Sequence, residues 1–177
     1  MKKKIMYLFA ALMTVALSIG FTSCSDDDDD DDEPKAANVV KADGTELQIT
    51  NAVFEENEED GYLDVYLDLD GGYGLLFFSV SNDNLGKQVD MTQPTTSTLS
   101  WETVDFETET IWWYGSNWEE DDEFLASGSW FKVERGDNNT FSVTGNLVFE
   151  GEKNKVEDGQ KHVVTVNFNG TATEYKE

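Results

Sequence analysis

Cysteine and histidine occur once each in this chain of 177 residues, and basic side chains are few against the acidic ones. It carries one cysteine, Cys24, so no intrachain disulfide can form and the fold must rest on its apolar core. One histidine, His162, leaves no set of His and Cys ligands for zinc. No Gly-x-Ser-x-Gly elbow marks a serine as partner for a histidine base. Against 37 Asp and Glu stand only 12 Lys and Arg, a formal charge of −25. Phosphate backbones are bound by clustered cations, so nucleic acid is excluded as a partner. Helical periodicity is missing as well: no segment repeats its apolar residues every third or fourth position, and no connection holds a crossover helix. A parallel sheet is thereby excluded.

What is present begins at the N-terminus. Lys2, Lys3 and Lys4 precede an apolar run over 5–17 broken only by Thr14, too short for a membrane span. The small residues Ser18, Gly20, Thr22 and Ser23 then lead to Cys24, and aspartates fill 26–32 ahead of Glu33. This order predicts a signal peptide over 1–23, a lipidated cysteine with an acidic tether over 24–40, and a single β domain over 41–177. Without 1–23 the chain keeps 9 basic residues, and setting aside 26–33 as well leaves the domain at about −20. Aspartates repel each other and have nothing to bury, so the run extends as a tether of roughly 25 Å.

Phe21-Thr22-Ser23-Cys24 resembles the lipobox of bacterial lipoproteins, with Phe21 standing where the pattern commonly has Leu, Val or Ile. Cys24-Ser25-Asp26-Asp27 and the acidic run after it are similar to the surface-export signal of Bacteroides-type lipoproteins. The resemblance covers the first 33 residues or so. It implies cleavage before Cys24, acylation of its sulfur and its new amino group, and display on the outer face of the outer membrane. Several acyl chains make desorption negligible, at about 0.8 kcal/mol per buried methylene.

The rest of the chain reads as strands. In Tyr62-Leu63-Asp64-Val65-Tyr66-Leu67-Asp68-Leu69-Asp70 the leucines and Val65 share one face, and the tyrosines and aspartates share the other. Leu47, Ile49, Val53 and Phe54 suggest an earlier strand, Gly71-Gly72 a tight turn, and 75–80 a strand apolar on both faces. A long connection over 84–98 carries a short strand at 88–91, and further strands are expected at 99–106 and 109–114. The C-terminal third predicts a three-strand antiparallel meander, with Phe131 and Val133, then Phe141, Val143, Leu147 and Phe149, then Val164, Val166 and Phe168 inward. The fold class expected is all-β, an antiparallel two-sheet β-sandwich of about eight strands. The long connection favours it over the alternative, a small closed up-and-down β-barrel of lipocalin-like form.

Candidate chemistry is sparse. His162 shares the parity of Val164 and Val166, which turns it toward the core. Asp68-x-Asp70-Gly71 lacks the later ligands of a calcium loop. Carboxylates are too abundant for any pair to stand out as catalytic. No catalytic residue, metal site or cofactor is therefore assigned. The stretch that stands out is Trp112, Trp113, Tyr114 and Trp118. Adjacent strand residues face opposite ways, so Trp112 and Trp113 cannot share a buried face. The outward one is either covered by a loop or closing the end of a barrel, or, beside Asn and carboxylate acceptors, equipment for stacking on a sugar or anchoring a partner. The function expected is a non-enzymatic binding or accessory module, for a glycan or an outer-membrane protein, held to the membrane through Cys24. The alternatives are a surface enzyme acting on polysaccharide, and a barrel carrying a small apolar ligand.

Overall fold

The computed structural model describes residues 38–57, 60–71, 74–92, 101–117 and 124–176. They belong to one compact unit, 34–177; the signal segment, Cys24 and the acidic run lie outside the described residues. The strands are β1 (Val39–Ala42), β2 (Thr45–Asn57), β3 (Tyr62–Leu69), β4 (Gly74–Ser81), β5 (Gln88–Asp90), β6 (Trp101–Thr108), β7 (Trp112–Ser116), β8 (Trp130–Arg135), β9 (Thr140–Glu150), β10 (Lys161–Thr171) and β11 (Thr173–Glu174). Among the described residues no helix is long and apolar enough to cross a membrane, which says nothing of spanning strands.

Ten strands pair in one path, β5-β8-β9-β10-β1-β2-β3-β4-β6-β7, and β11 joins β2 in parallel. Every pairing along the path is antiparallel. The protein is all-β, with its sheet curled as a half-barrel around one apolar cluster. Hydrogen bonding does not divide it into two sheets, because β2 is long enough to serve both halves. Its start pairs with β1 and its remainder with β3, with a register shift between Ile49 and Asn51. The extra residue at that bulge reverses the parity of the strand. Leu47 and Ile49 pack inward before it, Ala52 and Phe54 after it, and the sheet bends there.

β3 alternates without fault, with Leu63, Val65, Leu67 and Leu69 buried and the residues between them half-covered. β1 and β2 are joined by Asp43-Gly44, both at positive φ (49° and 82°), the backbone of a two-residue hairpin turn. β8, β9 and β10 form the expected meander, β9 and β10 pairing from Lys161↔Glu150 to Thr171↔Thr140. The long connection after β4 is an excursion: β5 pairs with β8 at one end of the path, whereas β6 returns to β4.

The two end strands, β5 and β7, are bridged by 124–126. Leu125 N–H donates to Met91 O (3.0 Å), and Ala126 N–H to Val148 O (2.9 Å). Leu125 packs against Gly115 so closely that a Cβ there would lie 2.8 Å from its Cδ2. A side chain there would make Leu125 shift from its seat on β7. Trp101, Phe54, Phe78, Phe106, Phe131 and Phe149 are fully buried inside the curl.

Candidate functional site

Antiparallel pairing of β6 and β7 sets Phe106 opposite Trp113 and Glu107 opposite Trp112. The first pair faces the core, the second faces out. Trp113 is 6% exposed, its ring 5.4 Å from Phe106, 5.7 Å from Phe149 and stacked at 4.3 Å on His162. Trp112 is 50% exposed, with Tyr114 beside it on the same face at 6.2 Å. Of the four aromatic candidates, Trp112 and Tyr114 are brought together, Trp113 is a core residue, and Trp118 lies outside the described residues.

Cross-strand register extends this corner into an array. Tyr114 is opposite Asp105, Asp105 opposite Phe77, and Phe77 opposite Tyr66. One row along, Trp112 is opposite Glu107, Glu107 opposite Leu75, and Leu75 opposite Asp68. Tyr66 and Phe77 stack at 4.8 Å. The outer face thus carries aromatic and aliphatic side chains at β3–β4 and at β7, with two carboxylates on β6 between them. Lys155 places its ammonium 5.9 Å from the Tyr114 ring centre, close enough for a cation–π contact.

Two aspartates of β3, Asp64 and Asp68, flank Tyr66 on this face. Burial, against a bond from Ser79 and with Glu102 and Glu55 nearby, pushes the Asp64 carboxyl up to about 6. Burial likewise raises Asp68, against an amide bond from Asn51 (2.9 Å). Asp70 instead accepts from the Gln48 amide (2.9 Å), so the aspartates of Asp68-x-Asp70-Gly71 serve different partners. Among the described residues no group of three or more His, Cys, Asp or Glu is placed to hold a metal ion.

The margin of β7 is covered at Tyr114 and Gly115. The buried Asn154 side chain donates to Tyr114 O (3.1 Å) and to Phe124 O (3.3 Å), while its own oxygen accepts from Glu150 N–H (3.0 Å). That takes Tyr114 O away from any strand added at this margin.

His162 is turned inward as its parity predicts, yet it is not merely packed. Its Nδ1 lies 2.5 Å from Asp43 Oδ2 and its Nε2 3.0 Å from Asp158 Oδ2. Burial opposes the charged form, but the bonds and charges of Asp43 and Asp158 outweigh it and hold the pKa above the ordinary 6.5. Asp43 sits 119 residues away in the β1–β2 turn, a proximity no local pattern encodes. Comparison with protein-family models, with curated proteins and with solved structures finds no match.

Proposed function

We propose that this chain is a lipoprotein of the outer membrane, anchored through acylated Cys24, displayed to the exterior on its acidic tether, and acting as a non-enzymatic binding module for a glycan. The observation that carries the reading is the half-exposed Trp112, held beside Tyr114 with the two rings tilted at 52°, on a strand whose next residue, Trp113, is locked in the core. An aromatic ring costs little entropy to present when its strand is already rigid, and its face matches the C–H face of a sugar.

Two rival readings draw less support. A carrier of apolar ligands needs an unfilled interior, and here large aromatic side chains occupy the inside of the curl. We read the half-barrel as completed by 124–126 into a small packed barrel, not into a container. A protein partner adding a strand needs an open edge, and Asn154 and Leu125 stand on β7.

The test is a glycan array probed with the purified full chain. Retention on uncharged glycans above uronate-rich or sulfated ones is expected; no retention on any glycan overturns the binding assignment. Radioactive fatty acid should label the wild-type chain and not Cys24→Ala, and label persisting on the variant overturns the anchor.

A further inference from the structure

We infer that the outer face of β3, β4, β6 and β7 is one extended site for an uncharged oligosaccharide, lying across the strands from the Trp112–Tyr114 pair to the Tyr66–Phe77 pair. This rests on the reading of Trp112 as a glycan contact and adds to it a length, a direction and a charge preference.

The length follows from the register. Tyr114, Asp105, Phe77 and Tyr66 are successive cross-strand neighbours, as are Trp112, Glu107, Leu75 and Asp68. Adjacent strands lie about 4.8 Å apart, so β7 to β3 spans about 14 Å, the reach of three to four pyranose residues in a chain. Successive sugars in an extended chain therefore meet successive strands. The two ends of the span offer rings: Trp112 with Tyr114 at one, Tyr66 with Phe77, all but Trp112 partly covered, at the other. Between them stand Asp105, one of whose oxygens is shut off from solvent, and Glu107, both already engaged within the protein; a carboxylate has more than one acceptor site, so Glu107 is the one taken to meet a sugar hydroxyl. Platform, acceptor, platform is a sequence suited to a polymer with alternating C–H faces and hydroxyl edges.

Charge sets the preference. Asp64, Asp68, Asp105 and Glu107 lie on this face, Glu55 and Glu102 act on Asp64 from beside it, and the chain as a whole carries −25. A uronate, sialylated or sulfated chain would meet like charge along the whole span, with Lys155 offsetting it at one corner.

Calorimetric titration of the full chain, in a non-glycosidic detergent, tests this directly. The ligands are gluco-, manno-, xylo- and galacto-oligosaccharides from monosaccharide to hexasaccharide, with galacturonate oligomers of equal length. In the series that binds, affinity should climb up to the tetrasaccharide and then level off, and galacturonates should not bind. Phe77→Ala should weaken the tetrasaccharide about tenfold and leave the disaccharide unchanged. Phe77→Leu, which keeps apolar volume and so guards against loss of the fold, should show the same selective loss. Glu107→Gln should weaken both lengths several-fold. Binding that depends on Trp112 but not on length, or on Phe77, overturns the extended site while leaving the glycan reading intact. Binding of galacturonates as tight as of neutral oligomers overturns the charge preference. Absence of any binding removes both.

Discussion

A histidine ring between two carboxylates can donate to both only when each of its nitrogens carries a proton. His162 is in that position, bridging Asp43 and Asp158 while its face rests on Trp113. Its pKa is raised in the folded chain, so the stability it contributes is complete below the unfolded value of 6.5 and is lost as pH rises through the folded value. Asp64 acts in the same direction in a lower window, because burial raises its pKa from 3.8 to about 6, and its contribution falls away as pH rises across that interval. Asp158 has the opposite sign: the Gln160 amide first, then His162, hold it below 3.8, so its contribution fades only in stronger acid. The protein should therefore melt at a lower temperature at about pH 9 than at about pH 6, and His162→Gln should flatten that dependence while costing about 1 kcal/mol at the lower pH. A His162→Gln variant with the wild-type pH profile would contradict the bridge. The inward parity of His162 was legible from Val164 and Val166; its two partners were not, since one lies in a distant turn and the other in an irregular loop.

Strands differ in how openly they declare themselves. β3 and most of the β8–β10 meander have one covered and one wetter face, and alternation shows it in the residues; Val148, buried between Leu147 and Phe149, is the exception. β1 does not: Val39 and Val40 are both buried and only four residues pair, so its start falls inside the stretch expected to be tether. β2 mixes parities, with Leu47 and Ile49 inward and then Phe54 inward with Val53 outward, because a bulge shifts the strand by one residue. A bulge is defined by the partner strand, so the sequence of β2 alone cannot locate it. Close strand packing is equally silent. Gly145 on β9 has Trp130 O, Phe131 Cβ and Val166 Cγ1 at 3.0, 3.1 and 3.2 Å from where a Cβ would stand. In an open extended position Gly→Ala stabilises by about 0.4–1 kcal/mol. At Gly145 the crowding should win, with Gly145→Ala destabilising by about 1–3 kcal/mol in urea unfolding. An unchanged midpoint would mean that the β8–β9–β10 contact gives way more easily than its geometry implies.

At the scale of the whole molecule, fold class was legible and architecture only in part. The absence of helical period and the turn spacing point to antiparallel β structure, and the long 84–98 connection does mark a departure from a meander. That departure suggested two sheets. The strand between β4 and β6 instead joins the far end of a single curled sheet, and continuity is carried by β2, whose length the bulge hides. The candidate site was legible as a contrast between adjacent tryptophans, since strand geometry alone forces Trp112 and Trp113 apart. The proposed extension to Phe77 and Tyr66 was not, because Phe77 meets β7 only through β6, and Tyr66 only through β4 and β6.

That contrast between neighbours is central: Trp113 holds the core, and exposed Trp112 is the ring proposed to meet a ligand. The most direct measurement is calorimetric titration of Trp112→Ala with an uncharged oligosaccharide that the wild-type chain binds, beside the melting temperature of the same variant. Trp112→Ala should melt within about 2 °C of wild type and bind at least about tenfold more weakly. Wild-type affinity in Trp112→Ala would contradict it.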